Sequence, residues 1–371
     1  MDSIFKKKLK KVAKTLIVPF EKAFGGLLHD KRFLTLYMDL NNKCNLKCTM
    51  CHFNANLDNE PVVIMSLELF EKIAKEVFPK TRRLHLSCSA EPLIIPDFFK
   101  YLKIVSKYSI PHTKISTNGL LLTEGMSLAI IEANITQVGV SIDGATKETY
   151  EKVRKGSNFE KVIENIVLLQ SLKRKLKKNK PLLTFSFTLM RSNIHELLQF
   201  VRLAKKLEAD LIQVTHLIPF KSLDIMSESL VNYKKETNEI LNEAESLAKS
   251  IKIALELPSR FSLNKAKDTQ LLFNKPDCRV LYNSMYIISD GRVVPCTWFS
   301  LKEYCVGDFK KENFQEIWNG EVYGRLRRQW RNRTYPEYCR NCPVWGSESI
   351  DNYVFQEKER KDVLNISSVG V

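Results

Sequence analysis

Between residues 33 and 217 the chain alternates apolar runs with amphipathic segments, and this alternation narrows the fold more than any other feature. The runs FLTLYMDL, RRLHLSC, HTKIST, TQVGVSI, LLTFSFTL and DLIQVTHL are each short enough for a buried strand. Between them lie SLELFEKIAKEVF, PDFFKYLKIVSKY, EGMSLAIIEAN, NFEKVIENIVLLQSL and NIHELLQFVRLAKKL, which carry apolar residues at helical spacing. Ser66 stands where the first of these needs an N-cap. Repeated strand–helix–strand units cross over right-handed within one sheet. The expectation is an α/β fold, either an open parallel sheet or an open barrel.

The remaining sequence divides around this core. Residues 1–32 read as a basic amphipathic N-terminal arm, with Ile4, Leu9, Val12, Leu16 and Val18 on one side and lysines on the other. Such an arm packs on the body of the protein or meets a membrane surface peripherally. Residues 33–229 hold the strand–helix series, and 230–264 read as a linking helix and connection. In 265–371, short strands, the turn SDGR and five cysteines suggest a small α+β domain held partly by metal. No apolar run is long enough to span a bilayer, and the N-terminus lacks the features of a signal peptide. A cytoplasmic location is expected, with peripheral membrane contact through the arm as a further possibility.

In that compartment nine cysteines argue for metal or redox chemistry rather than disulfides. Cys44, Cys48 and Cys51 form C-x3-C-x2-C directly after the first strand, at the end of a strand where barrels place chemistry. Three thiolates suit a 4Fe–4S cluster with one iron open to a further ligand. Zinc with His52 as the fourth ligand, or free thiols, are the other readings of this spacing. Cys88 closes the second strand and is expected as a core thiol, with a pocket-facing position as the alternative.

CNLKCTMC resembles the radical S-adenosylmethionine (radical SAM) superfamily, and the resemblance runs on in order over roughly residues 34–220. SAEPL (89–93) resembles the family's Gly-Gly-Glu-Pro segment, with Ser89 and Ala90 in place of two glycines. STNG (116–119) follows the third strand, and SIDGATKETYEKVRKG (141–156) follows the fourth. The resemblance implies a partial (β/α)6 open barrel of the TIM type. It also implies S-adenosylmethionine as the fourth ligand of a 4Fe–4S cluster on Cys44, Cys48 and Cys51. Reductive cleavage of the cofactor would yield methionine and a 5′-deoxyadenosyl radical, which abstracts hydrogen from an unactivated carbon. Ala90 and Glu91 would flank the methionine part, with Glu91 accepting from its ammonium. Ser116, Thr117 and Asn118 offer groups suited to a ribose. Ser141 and Arg154 are candidates for the cofactor carboxylate, since a guanidinium fork matches that group. An N-cap or surface role is the plainer reading of these side chains.

Cys278, Cys296, Cys339 and Cys342 make a second set of four thiols, and Gly291 lies five positions before Cys296. Taken alone, they read equally well as a zinc site. They resemble the SPASM or shorter twitch domains that follow many radical SAM barrels. That resemblance implies one fully ligated auxiliary 4Fe–4S cluster. Cys305 is a fifth thiol, either a substitute ligand or a bystander.

The expected activity is hydrogen abstraction followed by a two-electron oxidation of the substrate, an oxidoreductase reaction assisted by the auxiliary cluster. A small-molecule, lipid-linked or peptide substrate fits, and the net charge of +16 favours an anionic one. An electron donor of the flavodoxin or ferredoxin type is implied. Peptide maturation by thioether or other cross-linking, and a redox-neutral epimerisation or rearrangement, are the alternatives. A non-enzymatic iron–sulfur sensor or nucleic-acid binder is the most distant reading, because no nucleic-acid-binding motif accompanies the charge.

Overall fold

The computed structural model describes residues 32–53, 61–219, 223–263, 278, 280–296, 305–336 and 339. The amphipathic arm expected over residues 1–32 lies, except for Arg32, outside the described residues, and so does Cys342.

The strands are β1 (Leu34–Met38), β2 (Thr81–Leu86), β3 (His112–Thr117), β4 (Gln137–Ser141), β5 (Leu182–Leu189), β6 (Leu211–His216), β7 (Ala254–Glu256), β8 (Ser284–Ile287), β9 (Arg292–Val294) and β10 (Gly307–Asp308). The helices are α1 (Leu67–Val77), α2 (Phe98–Ser106), α3 (Glu124–Glu132), α4 (Lys147–Val153), α5 (Phe159–Lys175), α6 (Leu197–Lys206), α7 (Lys234–Ser250), α8 (Val280–Asn283), α9 (Phe314–Asn319) and α10 (Glu321–Arg331). All ten strands form one sheet in the order β10-β9-β8-β1-β2-β3-β4-β5-β6-β7. Neighbours from β8 through β7 pair parallel, whereas β9 and β10 pair antiparallel.

Side-chain alternation explains how this sheet is built. Leu34, Leu36 and Met38 of β1 are fully buried, and they share one core with Phe70, Ile73 and Val77 of α1. Thr35 and Tyr37, between them, are only half-buried and point to the other face. The same division separates Ile115 from Lys114 and Ser116 on β3, and Val214 from Gln213 on β6. One face of the sheet is sealed by helices, and the opposite face keeps polar side chains. Ser66 caps α1 by accepting from Leu69 N–H at 3.2 Å, as its position in the sequence suggests.

The structure alters the sequence reading in three places. The segment read as a linking helix and connection holds α7 and then β7, which extends the six expected strands to a seventh; three residues, ALE, carry too little apolar pattern to be read alone. The cysteine-rich segment does not begin apart from the barrel, because its first strand, β8, pairs with β1: Tyr37 lies opposite Tyr286, and Met38 opposite Ile287. Helix α4 lies inside SIDGATKETYEKVRKG, capped by Thr146. The segment after β10 is also tied to the barrel. Lys72 Nζ of α1 donates to Phe309 O at 2.6 Å, and Glu76 accepts from Phe314 N–H at 2.7 Å at the start of α9.

Candidate cofactor and cluster site

The loop holding Cys44, Cys48 and Cys51 leaves β1 and is fastened to the segments that follow β2, β3 and β4. Glu91 N–H donates to Lys43 O at 3.1 Å. Asn118 Nδ2 donates to Asn45 Oδ1 at 2.8 Å. Lys47 and Thr49 N–H donate to Lys155 O and Val153 O, each at 2.9 Å. The SAEP, STNG and VRKG segments therefore meet around one loop, at the carboxyl ends of β1 to β4.

The three thiols are half-buried and close enough to influence one another electrostatically. Burial pushes Cys44 up, while Leu46 N–H, 3.5 Å from its sulfur, favours the thiolate. Burial pushes Cys48 up to about 11, against the opposing charge of Arg154, whose Nη1 lies 3.8 Å from the sulfur. Donors aimed at sulfur are what a thiolate ligand needs, so this set fits an iron–sulfur core. Burial holds His52 below its ordinary range. Among the described residues, no three His, Cys, Asp or Glu side chains close on a single ion.

Glu91 is almost fully buried and accepts three hydrogen bonds: from Thr117 Oγ1 at 2.7 Å, Asn118 N–H at 2.7 Å and Leu93 N–H at 3.1 Å. Desolvation nevertheless dominates, and its carboxyl is pushed up to about 7, with the Asn118, Thr117 and Leu93 donors and the charge of Arg154 pulling the other way. A carboxylate has about four acceptor sites, so one remains for a ligand's ammonium. Sequence reasoning missed that Glu91 also clamps the end of β3 to the segment after β2. Ala90 O accepts from Ser87 Oγ.

The STNG turn uses most of its own polar groups. Thr117 Oγ1 accepts from Gly119 N–H at 3.0 Å, and Asn118 Oδ1 from Leu120 N–H at 3.0 Å. Gly119 has φ +81°, and a Cβ there would lie 2.9 Å from Val140, so the turn requires glycine. Ser116 and Ser141, half-buried on the polar face, have no hydroxyl partner among the described residues and are open to a ligand.

Arg154 is more committed than the sequence suggests. Its Nε donates to Asp143 Oδ2 at 2.6 Å; Asp143 is buried and Arg154 mostly so. Asp143 also accepts from Thr188 N–H at 2.6 Å, which ties the pair to β5. The other guanidinium nitrogens can still serve a carboxylate. Asp143 was not singled out from the sequence; the signal was an acid closing the fourth strand eleven residues before an arginine.

A second group next to this site was also missed. Asp39, fully desolvated at the end of β1, accepts from the N–H groups of Cys88 (2.7 Å) and Ser89 (3.1 Å) and from Tyr286 Oη. Burial raises its carboxyl above the usual range, with Tyr286 opposing. Cys88 is not the core thiol expected from the end of a strand: its side chain is exposed on the polar face. Ser87, at φ +66°, turns the chain just before it.

Cys278, Cys296 and Cys339, the described thiols of the second group, are connected to α10 or lie near it. Cys278 receives the N–H groups of Leu281 and Val280 at the start of α8, and α8 neighbours α10. Cys296 lies near the buried Tyr323 of α10, and Cys339 follows that helix. Arg327 of α10 donates to Leu281 O (2.9 Å) and Trp318 O (2.7 Å), which locks α8 and α9 to α10. Cys305 donates to Gly307 O at 3.0 Å.

Two family patterns match this chain. Residues 38–204 fit the radical SAM superfamily, and residues 278–343 fit SPASM, an iron–sulfur cluster-binding domain. The chain belongs to the radical SAM superfamily. As a radical SAM enzyme with a SPASM domain, it uses S-adenosylmethionine and two iron–sulfur clusters. The enzyme is 26% identical over 329 residues to the tungsten-containing aldehyde ferredoxin oxidoreductase cofactor-modifying protein of Pyrococcus furiosus, covering 83% of this chain and 87% of the relative. It is 24% identical over 342 residues to the AdoMet-dependent heme synthase of Methanosarcina barkeri, covering 86% and 93%. Among solved structures, SuiB of Streptococcus suis bound to S-adenosylmethionine shares the fold with a TM-score of 0.63 at 15% identity, over 88% of this chain and 79% of SuiB. No helix among the described residues is long and apolar enough to cross a membrane.

Proposed function

We propose that this radical SAM enzyme oxidises its substrate by two electrons, starting with hydrogen abstraction from an unactivated carbon. When bound, the reduced cluster and S-adenosylmethionine supply a 5′-deoxyadenosyl radical, and the auxiliary cluster supplies an acceptor for the electron left on the substrate. Cys44, Cys48 and Cys51 hold the first cluster, and Cys278, Cys296, Cys339 and Cys342 the second. Glu91 and the Ala90 backbone receive the cofactor's methionine part, Ser116 with Thr117 and Asn118 its ribose, and Ser141 with Arg154 its carboxylate.

The observation that carries this reading is the pairing of β8 with β1. It joins the segment bearing the second cysteine group to the strand whose end bears the first. A second cysteine group whose segment starts from the strand next to β1 suits an electron acceptor beside a radical generator. By their names the two relatives above modify a cofactor and make heme, which is in keeping with a small-molecule substrate. The reductant is a protein of the flavodoxin or ferredoxin type. Under reducing, oxygen-free conditions the enzyme should release 5′-deoxyadenosine; its absence from fully reconstituted protein overturns the proposal.

A further inference from the structure

The polar face of the sheet holds a cation that none of these roles uses. Lys114 on β3 faces the same side as Ser116 and lies one inward-facing position deeper. Its stem passes over Gly139 of the neighbouring β4. A Cβ at 139 would lie 2.9 Å from Lys114 Cε, so the glycine leaves the trough in which the lysine rests. The ammonium reaches Gln213 of β6, donating to Oε1 at 3.0 Å. Gln213 is oriented for this by donating its own Nε2 to Glu256 Oε2 at 2.7 Å on β7.

An ammonium has three donors, and Lys114 uses one, on a neutral amide. Among the described residues it forms no ion pair, although it is largely desolvated. Burial lowers its pKa, with Cys88 and Glu256 opposing. Glu256, held behind Gln213, acts on it from a distance and forms no ion pair with it among the described residues. His85, in register on β2, is held to about 4 by burial and by the charges of Lys114 and Arg83, so it is neutral at pH 7. Arg83 adds a second positive charge on that face. Tyr37 stacks on His85 with ring centroids 4.7 Å apart and meets Tyr286 edge-on at 6.5 Å, walling the side towards β8. An unpaired, partly desolvated cation beside aromatic walls is costly unless an anion joins it.

We propose that Lys114 is the centre of an anion subsite on the concave face, which binds a carboxylate or phosphate group of the substrate. This rests on the reading that the substrate lies on that face, below the cofactor. The subsite draws the substrate's anionic end down between Lys114 and Gln213 and leaves its reacting carbon towards Ser116 and the cysteine loop. A carboxylate could also belong to S-adenosylmethionine itself, so the test separates the two sources.

The test is calorimetric titration of full-length, anaerobically reconstituted protein saturated with S-adenosylmethionine, using inorganic pyrophosphate and succinate as probes. The expected result is one saturable site per chain for at least one probe. Binding should weaken at least tenfold in Lys114→Met and in the polar variant Lys114→Gln, and survive within a few-fold in Lys114→Arg. Affinity for S-adenosylmethionine should be the same in all four proteins. The subsite is overturned by the absence of saturable binding in the parent protein, or by equal binding in the neutral variants. Loss of cofactor affinity in both neutral variants overturns it too, because the anion would then be the cofactor's own. Release of 5′-deoxyadenosine by the parent protein is read in parallel, since its failure strikes the radical chemistry and leaves the anion result standing.

Discussion

Ser89 Oγ and Tyr286 Oη lie 2.6 Å apart although 197 residues separate them in sequence. Ser89 occupies a position where the family pattern has glycine, and its partner comes from β8, the first strand after the barrel. Tyr286 also donates to Asp39, which gathers the Cys88 and Ser89 N–H groups. The departure from glycine is thus matched by a hydroxyl that fastens the SAEP segment to the SPASM-bearing part of the chain. Tyr286→Phe leaves the buried Asp39 carboxyl short of a donor, at a cost of about 1–3 kcal/mol. The midpoint of thermal unfolding should fall, and an unchanged midpoint would remove this link from the account.

Glu91 gives a pH signature. Its folded pKa of about 7 lies above its ordinary value of 4.5. The folded state therefore keeps a proton that the unfolded chain releases between those values. The stability this contributes is present below about pH 4.5 and is lost as pH rises through about 7. A cofactor ammonium beside Glu91 favours the ionised form, so binding at pH 6 should release a proton and tighten as pH rises towards 7. Glu91→Gln should abolish both effects and weaken binding by about 1.5–3 kcal/mol, or roughly 10- to 150-fold. Calorimetry in two buffers of different ionisation enthalpy measures the proton; equal proton release by the variant would remove Glu91 from the site.

Asp143 and Arg154 form a buried pair in contact with the cysteine loop. Arg154→Ala leaves the Asp143 charge unpaired, with an expected loss of about 3–5 kcal/mol. The double variant Asp143→Asn, Arg154→Ala should recover part of that stability but not the cofactor affinity. Full recovery of affinity would show that Arg154 acts only through Asp143.

The parallel core was legible because buried strands and amphipathic helices have different periods, and HTKIST and LLTFSFTL match β3 and β5 residue for residue. The strand-end motifs were legible because each follows a readable strand. Pairings between distant segments were not. Nothing local in ALE announces β7, and nothing in SMYI says that it joins β1. The Asp39–Tyr286 and Asp143–Arg154 pairs were hidden for the same reason: an acid closing a strand can be seen, but its partner is set by the fold. Cys88 misled because the residue after an apolar run reads as core, and here it is accessible on the polar face.

The auxiliary site can be separated from the first. Cys339→Ala with Cys342→Ala should lower the iron content from about eight to about four per chain. 5′-Deoxyadenosine should still form, because Cys44, Cys48 and Cys51 are intact, while oxidised product should not. The variant must remain monodisperse, since a bound cluster also helps to hold its domain together. A folded variant that still oxidises its substrate would favour a structural cluster and a redox-neutral reaction.

The most direct test of the central claim is 5′-deoxyadenosine formation by anaerobically reconstituted, chemically reduced protein carrying Cys44→Ala, Cys48→Ala and Cys51→Ala together. The account predicts about four irons per chain, from about eight, and no 5′-deoxyadenosine, while the parent protein releases it under the same conditions. A triple variant that retained its full iron content and still cleaved S-adenosylmethionine would contradict it.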